Sequence, residues 1–262
     1  MGHLLLPSSL SFVNPPVSIL WNMPKKNSNA QSSRTAGTRE DNLATPFFPD
    51  ITPKNGLACH VLLESQIITI NDFLSAEECS KLVRFIDGLP LELTPPKKKG
   101  EAQRVNYRFS VTSASFAEQL YSSLLPHLSS FRHSLPVGRS RSRDDTKVRL
   151  PHSCNSNIRM YKYTPLQHFG PHYDDSVKDA ATGAKSEWTL LIYLTGIEDG
   201  VKGGETVFYK DQKGTPSEAI VAPLTRGTAL LHRHGYECLL HEGSPVQKGT
   251  KYVLRSDLMF LE

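Results

Sequence analysis

An α+β chain, with helices leading into a many-stranded β core, is what this 262-residue sequence predicts. Three observations carry that expectation. Apolar residues recur at helical spacing in two early segments. Short strand-like runs parted by turn residues fill the second half. No apolar run approaches the ~18 residues that a membrane-spanning helix requires.

Residues 1–56 are expected to be a disordered arm. The apolar start lacks a basic leader, Pro7, Pro15 and Pro16 interrupt it, and Lys25 and Lys26 follow it, so no cleavable signal is expected. From residue 27 to 56 the chain is rich in Ser, Thr, Asn and Pro without an apolar period. Such composition cannot offset the entropy of ordering. The folded domain is therefore assigned to residues 57–262, with its β core at about 155–260.

Residues 61–70 read as strand. A helix follows, with Ser75 as N-cap and Glu78 as capping-box partner. Cys79, Leu82, Val83 and Ile86 form its apolar face, and Gly88 ends it. A second helix is expected to start at Ser115 with Glu118 as its partner and to close at Pro126. Residues 132–149 hold Arg132, Arg139, Arg141, Arg143, Lys147 and Arg149 against Asp144 and Asp145, and are read as a solvated basic loop. Beyond residue 150, strands are expected at 157–163, 188–195, 205–210, 219–222, 228–232, 236–241 and 251–259, with a turn at 245–249. Helices first and short strands after suggest a sandwich or barrel.

Composition bounds the function. Thirty Lys plus Arg against 26 Asp plus Glu is too small a surplus to mark a nucleic-acid binder. Cys59, Cys79, Cys154 and Cys238 form no C-x-x-C pair, which excludes zinc ribbons and thioredoxin chemistry. Reduced thiols in a cytoplasmic or nuclear setting are expected.

The chemistry concentrates around His172-Tyr173-Asp174. On a strand, residues two apart share a face, so an imidazole and a carboxylate would meet one metal. His241 lies 67 residues beyond Asp174 and offers a second imidazole. Two histidines and a carboxylate leave half an octahedron open, the arrangement of non-haem Fe(II) oxygenases. Lys251, ten residues after His241, falls on a neighbouring apolar strand, where a buried cation needs an anionic partner.

These residues stand in an ordered set: Tyr163, His172-x-Asp174, Trp188-Thr-Leu-Leu-Ile-Tyr-Leu194, Gly203-Gly-Glu-Thr-Val-Phe208, and His241-x-Gly-x-Pro-Val246-x2-Gly249-x-Lys251. The set resembles the prolyl 4-hydroxylase-type branch of the Fe(II)- and 2-oxoglutarate-dependent dioxygenases. The resemblance implies a double-stranded β-helix (jelly-roll) core with N-terminal supporting helices. It implies Fe(II) on His172, Asp174 and His241, and Lys251 on the distal carboxylate of 2-oxoglutarate. Tyr163, Thr189 and Tyr193 would touch that co-substrate. Arg255, of the same parity as Lys251, is a rival carboxylate partner. Arg104, Asn106 and Arg108 are candidate substrate contacts.

The implied reaction takes 2-oxoglutarate and O2 to succinate and CO2 and hydroxylates an unactivated C–H, with ascorbate as reductant. By analogy the substrate is a prolyl or similar side chain in a protein or peptide, with no membrane partner. Two alternatives stay open. One is a nucleic-acid oxidative demethylase, motivated by basic residues at 97–108 and 132–149. The other is a cupin-type metal site on His232, His234 and Glu237, whose spacing approximates a cupin motif.

Overall fold

The computed structural model describes residues 47–128, 150–210 and 218–261. Most of the expected arm and the whole basic loop at 132–149 lie outside the described residues. Helix α1 spans Ala76–Asp87. The Glu78 N–H donates to Ser75 Oγ at 3.2 Å, and the Ser75 N–H donates back to the Glu78 carboxylate at 2.7 Å. The expected capping box is therefore formed, and Gly88 ends the helix.

Helix α2, Ala114–Leu128, departs from expectation at both ends. Ser113, not Ser115, accepts the Phe116 N–H. Pro126 sits inside the last turn instead of stopping it. Proline there lacks the N–H that would bond the Ser122 carbonyl, so the turn gives up one backbone hydrogen bond. Burial of Leu124 and Leu128 and a 2.9 Å contact from His127 Nε2 to the Lys54 carbonyl hold the final turn.

Among the described residues the strands form a nine-stranded major sheet, a five-stranded minor sheet and a separate two-stranded pair. Every strand pairing among the described residues is antiparallel. At the centre of the major sheet Lys251–Phe260 lies between Lys185–Tyr193 and Asn157–Tyr163. Ala229–Arg233 flanks Lys185–Tyr193. The minor sheet runs Glu218–Ala222, Thr206–Lys210, Leu240–Gly243, His168–His172 and Arg104–Val105. The two sheets face each other as a jelly-roll.

Local differences follow from turn chemistry. Residues 61–70 form a hairpin, Cys59–Leu63 against Ile67–Ile70, turning at Ser65 with φ 57°. Residues 236–241 open with a 3-10 turn at Gly235–Glu237 before the strand Leu240–Gly243. Within 245–249, Val246–Lys248 pairs with Lys202–Gly203. Tyr107–Thr112 forms a further strand on Asn157–Tyr163.

All ten residues of Lys251–Phe260 are buried. Tyr252, Leu254, Leu258 and Phe260 join Leu82, Ile86, Leu120 and Leu124 in a core between the helices and the major sheet. Lys251, Val253 and Arg255 face the minor sheet instead. Phe48 and Ile51 belong to the helix-side core, and the Phe48 ring stacks on Phe116 at 4.2 Å. Folded structure thus begins well before residue 57, because an aromatic anchor outweighs the polar composition around it. Among the described residues no helix is long and apolar enough to cross a membrane. The four cysteines are unpaired.

Candidate active site

A cavity of about 50 Å³ lies between the sheets. His172 closes the strand His168–His172, and His241 stands directly opposite it in register. His172 Nδ1 lies 2.9 Å from the Gly170 carbonyl, and His241 Nδ1 2.9 Å from the Leu239 carbonyl. An Nδ1–H donated to a carbonyl leaves Nε2 as a lone pair turned inward.

Asp174 arrives by a different route from the expected strand alternation, because the strand ends at His172. In the loop beyond, the Gly235 N–H donates to the Asp174 carbonyl at 2.8 Å, and the Asp174 N–H donates to Cys238 Sγ at 3.2 Å. Arg255 Nη1 donates to Oδ1 at 2.9 Å and Thr189 Oγ1 to Oδ2 at 3.0 Å. The carboxylate then lies 3.7 Å from His172 Nε2 and 3.6 Å from His241 Nε2. One ligand atom from each of the three residues fits within 4.8 Å of the others. Two imidazole nitrogens and one carboxylate suit a divalent transition metal.

The electrostatics favour such an ion. Burial opposes ionisation of Asp174, but Arg255 and the histidines hold its carboxyl well below the usual range. Burial, reinforced by His241, pulls His172 down to about 4. Burial also opposes charge on His241, yet contacts with Asp174 and Cys238 outweigh it and push that ring up to about 9. A metal must displace that proton.

At the other end of the cavity lies Lys251, 5% exposed and opposite Tyr163 in register. Its Nζ donates to the Gly204 carbonyl at 2.5 Å, and burial pulls its ammonium down to about 8. Among the described residues no carboxylate pairs with it. Gly204 has φ +80°, and a Cβ there would approach Lys251 Cδ to 3.3 Å.

The remaining expected site residues divide. Tyr163 lines the cavity. Arg255 also lines it, but its guanidinium is engaged by Asp174 and by Asp257 at 3.4 Å, so it is not placed as a free carboxylate anchor. Thr189 and Tyr193 do not line it: the Thr189 hydroxyl serves Asp174 and His234, and the Tyr193 hydroxyl donates to Thr206 at 2.7 Å. Arg104 does line it, its guanidinium 4.4 Å above both the Tyr161 and Phe169 rings. Asn106 is buried, occupied by Arg104 Nε and the Tyr107 carbonyl, while Arg108 is exposed outside the cavity.

The cupin-type set does not converge. Both ring nitrogens of His234 are taken, by Thr189 Oγ1 at 2.9 Å and Ser186 Oγ at 2.8 Å. Glu237 pairs with Arg233 at 2.6 Å. Of the three residues only His232 faces the cavity. Tyr161, Phe169 and Leu191 also line it; strand parity alone would have placed Tyr161 with Tyr163 and Leu191 with Thr189.

Residues 158–256 match the family model of the 2OG-Fe(II) oxygenase superfamily. Prolyl 4-hydroxylase 1 of Arabidopsis thaliana is 29% identical over 147 residues, covering 55% of this chain and 46% of that protein. The chain therefore spans about half the length of this curated relative. Among solved structures, a viral collagen prolyl hydroxylase from Paramecium Bursaria Chlorella virus-1, in complex with 2OG, is 21% identical. It covers 75% of this chain and 97% of its own, with a TM-score of 0.48. A prolyl hydroxylase from Trichoplax adhaerens, bound to a hypoxia inducible factor peptide fragment, is 15% identical. It covers 75% and 84%, with a TM-score of 0.48.

Proposed function

We propose that this protein is an Fe(II)- and 2-oxoglutarate-dependent dioxygenase, a reading supported by the match of residues 158–256 to the 2OG-Fe(II) oxygenase superfamily and by the similarity to a plant prolyl 4-hydroxylase. It hydroxylates an unactivated C–H of a prolyl or similar side chain in a protein or peptide and releases succinate and CO2. The observation that carries the reading is the cavity's polarity: a two-histidine, one-carboxylate cluster at one end and, at the other, a buried lysine with no carboxylate in contact among the described residues.

His172, Asp174 and His241 would hold the iron, and Lys251 would bind the distal carboxylate of 2-oxoglutarate. When bound, iron with 2-oxoglutarate and O2 supplies the oxidising power for the C–H step. The protein's own part is positional. Arg255 and Thr189 fix the Asp174 carboxylate, and two backbone carbonyls orient the histidine rings. Tyr163, Leu191 and Val253 wall the cavity against water. Arg104 adds a cation at the cavity wall, suited to a substrate carbonyl or carboxylate. Ascorbate would keep the iron reduced, and the unpaired thiols suit a cytoplasmic or nuclear setting.

The prolyl assignment rests on the name of the Arabidopsis relative and on the motif resemblance. The test is succinate formation by the purified protein with Fe(II), ascorbate and 2-oxoglutarate, beside an Asp174→Ala control. Succinate in the wild type that vanishes in the control supports the reading. Absence of succinate together with absence of 2-oxoglutarate binding by calorimetry sinks it. A panel of proline-containing peptides then tests the substrate class.

A further inference from the structure

The cavity holds one more imidazole than the proposed metal set uses. His232 lies on the strand Ala229–Arg233 of the major sheet, 1% exposed, across the cavity from the minor-sheet histidines. Its Nδ1 lies 3.1 Å from the Arg233 carbonyl, the same arrangement that pins His172 and His241. Its Nε2 has no hydrogen-bond partner, although it is buried. A donor-less lone pair inside a protein is costly and calls for a ligand.

That lone pair is aimed at the metal cluster. His232 Nε2 lies 3.7 Å from Asp174 Oδ2, and His241 Nε2 lies 3.6 Å from the same oxygen. The His232 and His241 ring centroids are 4.6 Å apart, against 4.3 Å for His172 and His241. His232 Nε2 is thus as near Asp174 as His241 Nε2 is, and His232 also falls with Cys238 and His241 in a second group of ligand atoms within 4.8 Å of one another. Two lone-pair acceptors, an imidazole nitrogen and a carboxylate oxygen, do not bond each other; a cation between them satisfies both. Phe208 packs edge-on against the ring at 5.1 Å, which keeps it from turning away.

We propose that His232 is a fourth protein ligand of the metal in the absence of co-substrate, making the resting donor set three imidazoles and one carboxylate. The inference rests on the reading of His172, Asp174 and His241 as metal ligands. Four protein ligands leave two positions of an octahedron, enough for a bidentate keto acid but not for O2 as well. His232 must therefore give up its position before O2 can bind, and that release accompanies 2-oxoglutarate loading. It acts as a retaining ligand that keeps the metal in the empty enzyme and yields on loading.

The experiment uses the full chain loaded with Cu(II) as a spectroscopic probe, with nitrogen ligands counted from the superhyperfine splitting of the paramagnetic resonance signal. Wild type, His232→Phe, His232→Gln and His172→Ala are compared, and thermal unfolding confirms that each is folded. Three nitrogens in wild type and two in both His232 variants support the proposal, as does a fall from three to two when 2-oxoglutarate is added to wild type. Anaerobic Fe(II) titration should show about tenfold or greater loss of affinity in both His232 variants. By linkage, 2-oxoglutarate should bind the metal-loaded variants more tightly by a similar factor.

Two nitrogens in wild type, with two in His232→Phe and one in His172→Ala, overturn the proposal and leave the triad standing. A count that stays at three with 2-oxoglutarate bound overturns the exchange. Wild-type protein that binds no metal overturns both the proposal and the triad. Should one His232 variant fail to fold, the other decides, since Phe keeps the ring's volume and Gln keeps a polar group.

Discussion

Replacing Lys251 with Met tests the polarity of the cavity directly. The substitution keeps the length of the side chain and removes its charge. Lys251 is 5% exposed, is held by one carbonyl, and has no carboxylate partner among the described residues. A co-substrate carboxylate would be its buried counter-charge. Truncating one member of a buried, hydrogen-bonded charge pair costs about 2–5 kcal/mol, or roughly 30- to 4000-fold in affinity. The assay is a two-by-two calorimetric cycle: wild type and Lys251→Met, each titrated with 2-oxoglutarate and with 2-oxopentanoate, which lacks the distal carboxylate. Wild type should prefer 2-oxoglutarate by that factor, and the variant should lose most of the preference. The same experiment carries a pH signature. Burial pulls Lys251 down to about 8, so the free site is cationic below that pH and neutral above it. Affinity for 2-oxoglutarate should therefore be full below about 8 and fall as pH rises through it, approaching tenfold per unit at higher pH, whereas 2-oxopentanoate should show no such fall. Because burial outweighs the attraction of Glu205 and no carboxylate among the described residues touches this charge, the variant's thermal midpoint should match or exceed the wild type's. Equal discrimination between the two acids in wild type and variant would refute the anchor; if Arg104→Met abolishes it instead, the anchor lies at the other guanidinium.

Three further outcomes are expected. Arg255→Gln should weaken Fe(II) binding by about 10- to 100-fold while preserving the preference for 2-oxoglutarate over 2-oxopentanoate, as a metal titration followed by calorimetry would show. Gly204→Ala should lose about 1–2 kcal/mol in denaturant unfolding, because φ +80° disfavours a side chain, and should also weaken 2-oxoglutarate binding through the 3.3 Å approach to Lys251. Glu78→Gln should cost about 1–2 kcal/mol at pH 7 by removing the Lys54 ion pair and one of the two carboxylate oxygens that accept the Ser75 and Thr52 N–H groups. Burial opposes the Glu78 charge, but Lys54 and the backbone N–H groups outweigh it and bring the carboxyl to about 2. The stabilisation is therefore present above the ordinary carboxylate range and is lost as pH falls toward 2, where urea midpoints of the two proteins should converge.

Local rules in the chain predicted local features well. The S-x-x-E box at Ser75 and Glu78 and the strand at 157–163 depend on neighbours within a few residues or on parity along a strand. The site itself was readable only in part. Parity correctly turned Arg255 into the same face as Lys251, but four residues of strand separate them by ~13 Å. That distance sets them at opposite ends of the cavity, where Arg255 meets Asp174. Asp174 was found by spacing, yet it is held by Gly235, Cys238, Arg255 and Thr189, all remote in sequence. His232 read as part of a rival motif because its proximity to Asp174 arises from sheet order, which no one-dimensional spacing encodes. Phe48 was hidden in polar surroundings for a similar reason: its partners Phe85 and Phe116 come from two separate helices.

The strand Lys251–Phe260 is buried on both faces, and this constrains how the gene can change. Its even-numbered side chains Tyr252, Leu254, Leu258 and Phe260 belong to the helix-side core, and Lys251, Val253 and Arg255 belong to the cavity. One codon inserted or deleted after Lys251 would exchange the two sets, driving a guanidinium into an apolar core and leucines onto Asp174. Substitutions here can be judged one at a time, but changes of length cannot be absorbed. Length variation among relatives of this protein should accordingly gather in the connections between strands and be missing from this one.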